Sequence, residues 1–163
     1  MITKILILIA TFFNIGRVSK APGTVATVAT IPLWWLLAQT GPLIYMTSVI
    51  LLVALGIAAA QVYEAQSTTH DSQEIVIDEV VGFLITMTWL PITWQSLVFG
   101  FVIFRFLDIV KPPPIRQLDQ KVGGGLGVMI DDIAAGLIGS LILQTVYTQT
   151  SWLGVQISNL TTN

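Results

Sequence analysis

Apolar residues fall into five long runs, Thr24 to Ala38, Leu43 to Tyr63, Ile75 to Leu90, Ile92 to Ile109 and Val128 to Tyr147, separated by short polar connections. Each run predicts a membrane-embedded helix, so the expected fold is all-α: a compact polytopic bundle of about five embedded helices, forming a single domain over residues 1–163. The second and fifth runs are long enough to span alone. The other three are marginal, and would be tilted, packed inside the bundle or partly re-entrant. Met1 to Phe13 is different: as a helix it reaches only about 18 Å, against a hydrocarbon core of about 30 Å. No small-residue cleavage site precedes Asn14, so this stretch predicts an interfacial helix rather than a signal peptide. The tail, residues 148–163, carries no assigned role.

The charged residues sharpen this topology. They concentrate in three connections, 14–23, 64–79 and 105–127, whereas the turns 39–42 and 90–93 carry none. Threading five crossings puts all three charged connections on one side. Arg17, Lys20, Arg105, Lys111, Arg116 and Lys121 then mark that side as cytoplasmic, and Trp34, Trp35, Trp89, Trp94 and Trp152 collect toward the other interface. All nine carboxylates lie between Glu64 and Asp132, so the working surface is expected to face the cytoplasm.

Composition removes whole classes of function. Apolar residues make up 54% of the chain and charged residues 10%, with a mean hydropathy of +0.82, values that belong to a membrane protein. A net charge of -2 gives no electrostatic case for nucleic-acid binding. With no cysteine and one histidine, disulfides, thiolate metal sites, cysteine nucleophiles and histidine-rich metal sites drop out. Nothing implies an obligate protein partner.

Four islands carry candidate chemistry. In His70-Asp71-Ser72-Gln73-Glu74-Ile75-Val76-Ile77-Asp78-Glu79, a helix would put Glu74 and Asp78 on one face with Asp71 a turn earlier. A solvated acidic helix start is the less favoured alternative for Asp71 and Glu74. Asp78 and Glu79 enter an apolar run, where carboxylates are costly and usually functional. His70 is too isolated to interpret. In the second island Arg105, Asp108 and Lys111 recur every three residues before Pro112-Pro113-Pro114 stops the helix, giving either an ion-pair ladder or a site. The third places Gly123-Gly124-Gly125-Leu126-Gly127 before a helix expected near Val128, a backbone able to approach phosphate, and then the neighbouring carboxylates Asp131 and Asp132. Last, Ala21-Pro22-Gly23-Thr24 opens the first run; Thr24 reads as a helix N-cap, or as part of a phosphate contact.

Carboxylates from three connections on one membrane face, with lysine, arginine and glycines beside them, suggest a divalent-metal site handling a lipid phosphate. The all-oxygen ligand set suits Mg²⁺ better than zinc or iron. A different class remains open: a small cation or phosphate transporter using the same carboxylates, for which ionisable groups at mid-membrane or on both faces would be the mark. A membrane scaffold would not account for an acid-rich site beside lipid.

The strings Ala21-Pro22-Gly23-Thr24, Ile75 to Gly82, Phe104 to Arg116 and Gly124 to Gly136 also resemble the phosphatidylglycerophosphatase A family of bacterial membrane enzymes, in the expected order over most of the chain. Ala26 departs from the family, which more often has glycine there. The resemblance implies Mg²⁺-dependent removal of the terminal phosphate from phosphatidylglycerophosphate, giving phosphatidylglycerol at the cytoplasmic leaflet of the inner membrane. By matching position it implies metal-binding roles for Asp78, Glu79, Asp108, Asp131 and Asp132, with Asp78, Asp108, Asp131 and Asp132 also catalytic. Lys111 and Arg116 would hold phosphate, assisted by Arg105, Thr24 and Gly124.

Overall fold

A computed structural model describes residues 1–17, 20–66, 72–119 and 122–154. His70, Asp71, Lys121 and the tail beyond Gly154, all considered above, lie outside the described residues. Within these bounds the chain is helical, with no strand: α1 (Ile2–Ala10), a 3-10 turn (Ile15–Arg17), α2 (Pro22–Ala38), α3 (Pro42–Gln66), α4 (Ile77–Thr86), α5 (Trp94–Val110), α6 (Ile115–Asp119) and α7 (Gly124–Gln149).

Among the described residues two helices, not five, are long and apolar enough to cross a membrane. These are α3, with 25 residues, and α7, with 26, or about 37 and 39 Å at 1.5 Å per residue. The 17 residues of α2 and of α5 reach only about 25 Å. The expected crossing Ile75 to Leu90 is corrected most sharply. Its helical part, α4, has 10 residues, about 15 Å, and is followed by turns. Ile77 and every residue from Val80 to Thr86 are buried, so α4 is an interior element wrapped by its neighbours. An apolar run signals only that a segment avoids water, and protein can cover it as well as lipid.

α7 is the hub, packed against α3, α4, α5 and α6. Its contact with α4 depends on small residues. A Cβ on Gly136 would come 2.5 Å from the Gly82 carbonyl oxygen, and one on Gly82 would come 2.8 Å from the Asp132 carbonyl. Missing side chains at these two positions let the backbones approach as only small-residue helix interfaces do. Phe83 and Phe104 close the same region from α4 and α5, ring centroids 6.3 Å apart, and the Tyr45 hydroxyl of α3 donates to the Leu84 carbonyl at 2.7 Å.

At the opposite end the chain reverses through residues 87–93. Thr93 caps α5 by accepting from the Ser96 N–H at 3.1 Å and donates to the Leu153 carbonyl at 2.7 Å, while Gln144 Nε2 donates to the Thr88 carbonyl at 2.7 Å. The start of the tail thus anchors the α4–α5 reversal through Leu153, a role the sequence did not suggest. Trp35, Trp89, Trp94 and Trp152 are exposed, but Trp34 is in the core. α1 lies along α3 with Ile2 and Ile5 outward.

Candidate active site

Asp78 lies four residues before Gly82 on α4, and Asp132 four residues before Gly136 on α7. Residues four apart share a helix face, so the glycine contact that draws the two helices together also draws these carboxylates together. Glu79 joins them: ligand oxygens of Asp78, Glu79 and Asp132 all lie within 4.8 Å of one another. They come from the first turn of α4 and the third turn of α7.

Two cations close the acidic cluster. Arg105 Nη1 lies 2.6 Å from Asp108 Oδ2 and 3.7 Å from Glu79 Oε1, so one guanidinium bridges α5 and α4. Lys111 Nζ lies 2.6 Å from Asp131 Oδ2, tying the end of α5 to α7. The expected Arg105–Asp108–Lys111 stripe therefore holds for its first two members only. Lys111 caps α5 in the left-handed conformation, φ 45°, and leaves the helical row.

Around these groups is a cavity of about 560 Å³, lined by Asp78, Glu79, Arg105, Asp108, Lys111, Asp131 and Asp132 and by residues of two other connections, among them Lys20, Gly23, Ser72 and Gln73. Asp132 is 2% exposed and Asp131 6%, depths at which carboxylates need compensation. Among the described residues, Asp132 Oδ1 and Glu79 Oε2 are buried with no hydrogen-bond partner. Three mutually repelling carboxylates, two of them with an orphaned buried oxygen, are residues that a hard cation would fit.

Other sequence candidates sit elsewhere. Thr24 is not the N-cap, because α2 begins at Pro22 with Ala21 in the cap position; Thr24 is outside the cavity lining and Gly23 is in it. α7 begins at Gly124, four residues before Val128, and the Gly125 N–H is taken by Gln61 Oε1 at 2.9 Å. Gly124 is therefore part of the α3–α7 contact, whereas Gly127 lines the cavity. Arg116, on α6, is exposed and not among the lining residues. Glu74 does not share a helix face with Asp78, since α4 starts at Ile77. It pairs instead with Arg17 Nε at 2.8 Å and accepts from the Tyr63 hydroxyl at 2.6 Å. Tyr63 first, then Arg17, hold its carboxyl below the ordinary value of 4.5. From sequence the Ala21–Thr24 island offers a phosphate contact through Thr24, whereas the lining residues there are Lys20, Ala21, Pro22 and Gly23; the spacing Asp78-x-x-x-Gly82, repeated as Asp132-x-x-x-Gly136, was the available signal for the α4–α7 meeting point.

Among the described residues, helices alone, two of them of span length, enclose a recessed pocket of carboxylates and cations, which makes this a helix-bundle protein with a candidate site for phosphate. The family described as phosphatidylglycerophosphatase A matches residues 8–147. Similar proteins include phosphatidylglycerophosphatase A of Escherichia coli (strain K12), 42% identical over 137 residues, covering 83% of this chain and 80% of its own. That of Haemophilus influenzae is 38% identical over 138 residues, 83% and 85%. A Bacteroides thetaiotaomicron protein, described only as a candidate phosphatidylinositol-3-phosphatase, is 34% identical over 146 residues, 84% and 90%. No solved structure matches. The chain belongs to the phosphatidylglycerophosphatase A family, and is a phosphatase.

Proposed function

We propose that this protein removes the terminal phosphomonoester of phosphatidylglycerophosphate, yielding phosphatidylglycerol and phosphate, at the cytoplasmic face of a bacterial inner membrane that it crosses several times. The observation that carries the reading is the meeting of Asp78, Glu79 and Asp132 within 4.8 Å beside the cations Arg105 and Lys111, in a chain of this family. The basic connections before α2 and after α5 support the cytoplasmic orientation.

Asp78, Glu79 and Asp132 would hold Mg²⁺, with Asp108 and Asp131 completing the acidic wall. When bound, the ion supplies charge withdrawal from phosphoryl oxygens and lowers the cost of forming a hydroxide. The protein's own groups do the positioning. Arg105 steadies Asp108 and Glu79 relative to one another. Lys111, anchored on Asp131 at 2.6 Å, presents its ammonium to an equatorial phosphoryl oxygen. A cavity carboxylate, Asp108 or Asp131, takes the proton from the water whose oxygen bonds to phosphorus as the bond to the glycerol oxygen breaks, and that proton passes to the leaving oxygen. Alternatively one of them attacks phosphorus itself, displacing the same oxygen, which takes a proton from water, and a second water then hydrolyses the acyl phosphate. Burial of the cluster against α4 and α7 keeps these charges in a medium of low dielectric, where each acts more strongly than in water.

The test is phosphate release from phosphatidylglycerophosphate by the purified protein with Mg²⁺, with EDTA, and in Asp108→Asn and Asp131→Asn. Activity should require the metal and fall at least a hundredfold in each variant, the scale of losing a positioned acid-base group. Full activity in both variants would end the assignment. Ion flux in proteoliposomes without hydrolysis would favour a transporter.

A further inference from the structure

Of the cations lining the cavity, Arg105 is committed to Asp108 and Glu79, and Lys111 to Asp131. Lys20 is not committed. It lines the same cavity from the connection before α2, and among the described residues it has no carboxylate partner. Ser72 and Gln73, from the connection before α4, line the same cavity, and Lys20 and Gln73 are exposed, which puts them at its rim. Ser72 Oγ accepts from the Glu74 N–H at 3.4 Å, which leaves its own O–H to donate. The rim is thus cationic and rich in hydrogen-bonding groups, while the buried end is the acidic cluster.

A cavity of about 560 Å³ is sized for a small-molecule headgroup, within the usual range of roughly 300 to 1,000 Å³, and is far larger than one phosphate requires. A lipid phosphomonoester seated on the acidic cluster must leave through this rim toward its acyl chains. The next charged group along such a headgroup, when it has one, is the anionic phosphodiester that joins it to the diacylglycerol.

We propose that Lys20 is a specificity-determining residue that binds this second, diester phosphate, with Ser72 and Gln73 meeting the hydroxyl of the intervening glycerol. The protein then selects lipids whose headgroup carries two phosphates, a terminal monoester and an internal diester. The inference rests on the phosphatase reading above and adds the site that reads the rest of the headgroup.

The experiment measures hydrolysis of phosphatidylglycerophosphate at low mole fraction in uncharged detergent micelles, with two competitive inhibitors. Inorganic phosphate occupies only the monoester end. Glycerophosphoglycerol keeps the diester but has neither the monoester nor the acyl chains, so it reports the diester end free of any membrane-surface effect. In Lys20→Met, KM for the lipid and Ki for glycerophosphoglycerol should each rise about tenfold, the size of losing one charge-assisted contact, with kcat and Ki for phosphate unchanged. Lys20→Arg, which keeps the charge, should restore most of the loss. No inhibition of the wild type by glycerophosphoglycerol, equal rises in both Ki values, or no rise in either overturns the inference while leaving the phosphatase reading intact. A wild type that does not hydrolyse the lipid overturns both.

Discussion

Lys111 Nζ stands 2.6 Å from Asp131 Oδ2, so the residue that ends α5 is locked to the second turn of α7. The contact is possible because Lys111 leaves the helix in a left-handed conformation, just before the prolines that prevent α5 from continuing. It ties the end of α5 to the helix that carries Asp132.

Lys111→Met should therefore harm stability and activity together. Asp131, 6% exposed, would lose the 2.6 Å contact with the Lys111 ammonium, a change that costs about 3 kcal/mol at the low end for broken buried pairs. The low end applies because the lysine side chain is 30% exposed. In the double variant Lys111→Met/Asp131→Asn most of that stability should return, while phosphate release stays lost. Thermal unfolding of the four members of the cycle, beside their turnover, checks this; a double variant no more stable than Lys111→Met would contradict it.

Much of this site was legible in the sequence because charge is so scarce. In a chain with 10% charged residues, the carboxylates Asp78, Glu79, Asp108, Asp131 and Asp132 stand out against apolar surroundings, and the structure gathers all five round one cavity. What could not be read was where apolar runs are covered by protein instead of lipid. Ile75 to Leu90 looks like a crossing by hydropathy, yet α4 is an interior helix with nearly every residue buried. Cap positions were misplaced for a related reason. Gly124 to Gly127 read as a loop because glycine disfavours helices, but packing against Gln61 and Ile57 of α3 overrides that preference.

Asp132→Asn should separate metal binding from fold stability. The cluster unites three carboxylates within 4.8 Å, and neutralising one relieves repulsion that only a cation otherwise offsets. In EDTA the variant should unfold at the same temperature as the wild type or higher. With Mn²⁺ at a hundred times its dissociation constant, the wild type should gain about 2.7 kcal/mol and the variant almost nothing. A variant that is less stable in EDTA, yet gains as much from Mn²⁺, would show that Asp132 is structural and not a ligand.

The Glu74 latch predicts a pH dependence of known sign. Its carboxyl is held below the ordinary value of 4.5, by Tyr63 first and by Arg17 second, so the unfolded chain takes up the proton more readily than the folded one. The latch then contributes stability above about pH 4.5, and that contribution fades as pH falls through the lowered folded value. Comparing the wild type with Glu74→Gln by thermal unfolding from pH 7 to pH 3 should give a wild-type advantage at neutral pH that shrinks to nothing in acid. The advantage should be modest, since Arg17 and Glu74 are each 44% exposed. A gap that stays constant across the range would mean that the carboxylate form is not what the latch uses.

Two glycine-to-alanine changes should fail in opposite ways, because what each new methyl meets is different. At Gly23 a Cβ would overlap Glu79 Oε1 and lie 3.0 Å from Arg105 Nη1, both at the ends of flexible side chains. Those side chains can give way at little cost to the fold, but in doing so they displace a carboxylate of the cluster and the guanidinium that steadies it. Gly23→Ala should thus keep its unfolding temperature within a degree or two while losing activity about a hundredfold, the scale of a misplaced reacting group, and binding Mn²⁺ more weakly. At Gly136 the Cβ meets the Gly82 carbonyl oxygen at 2.5 Å and Ile85 side-chain atoms at 3.0 Å and 3.1 Å. Backbone cannot step aside as a side chain can, so α4 and α7 must separate, and Gly136→Ala should lose roughly 1 to 3 kcal/mol, the usual cost of overpacking. Unfolding curves and Mn²⁺ titrations of the two variants decide the matter. If Gly23→Ala unfolded earlier than Gly136→Ala, the close approach of α2 to Glu79 would be a packing contact of the fold rather than part of the site.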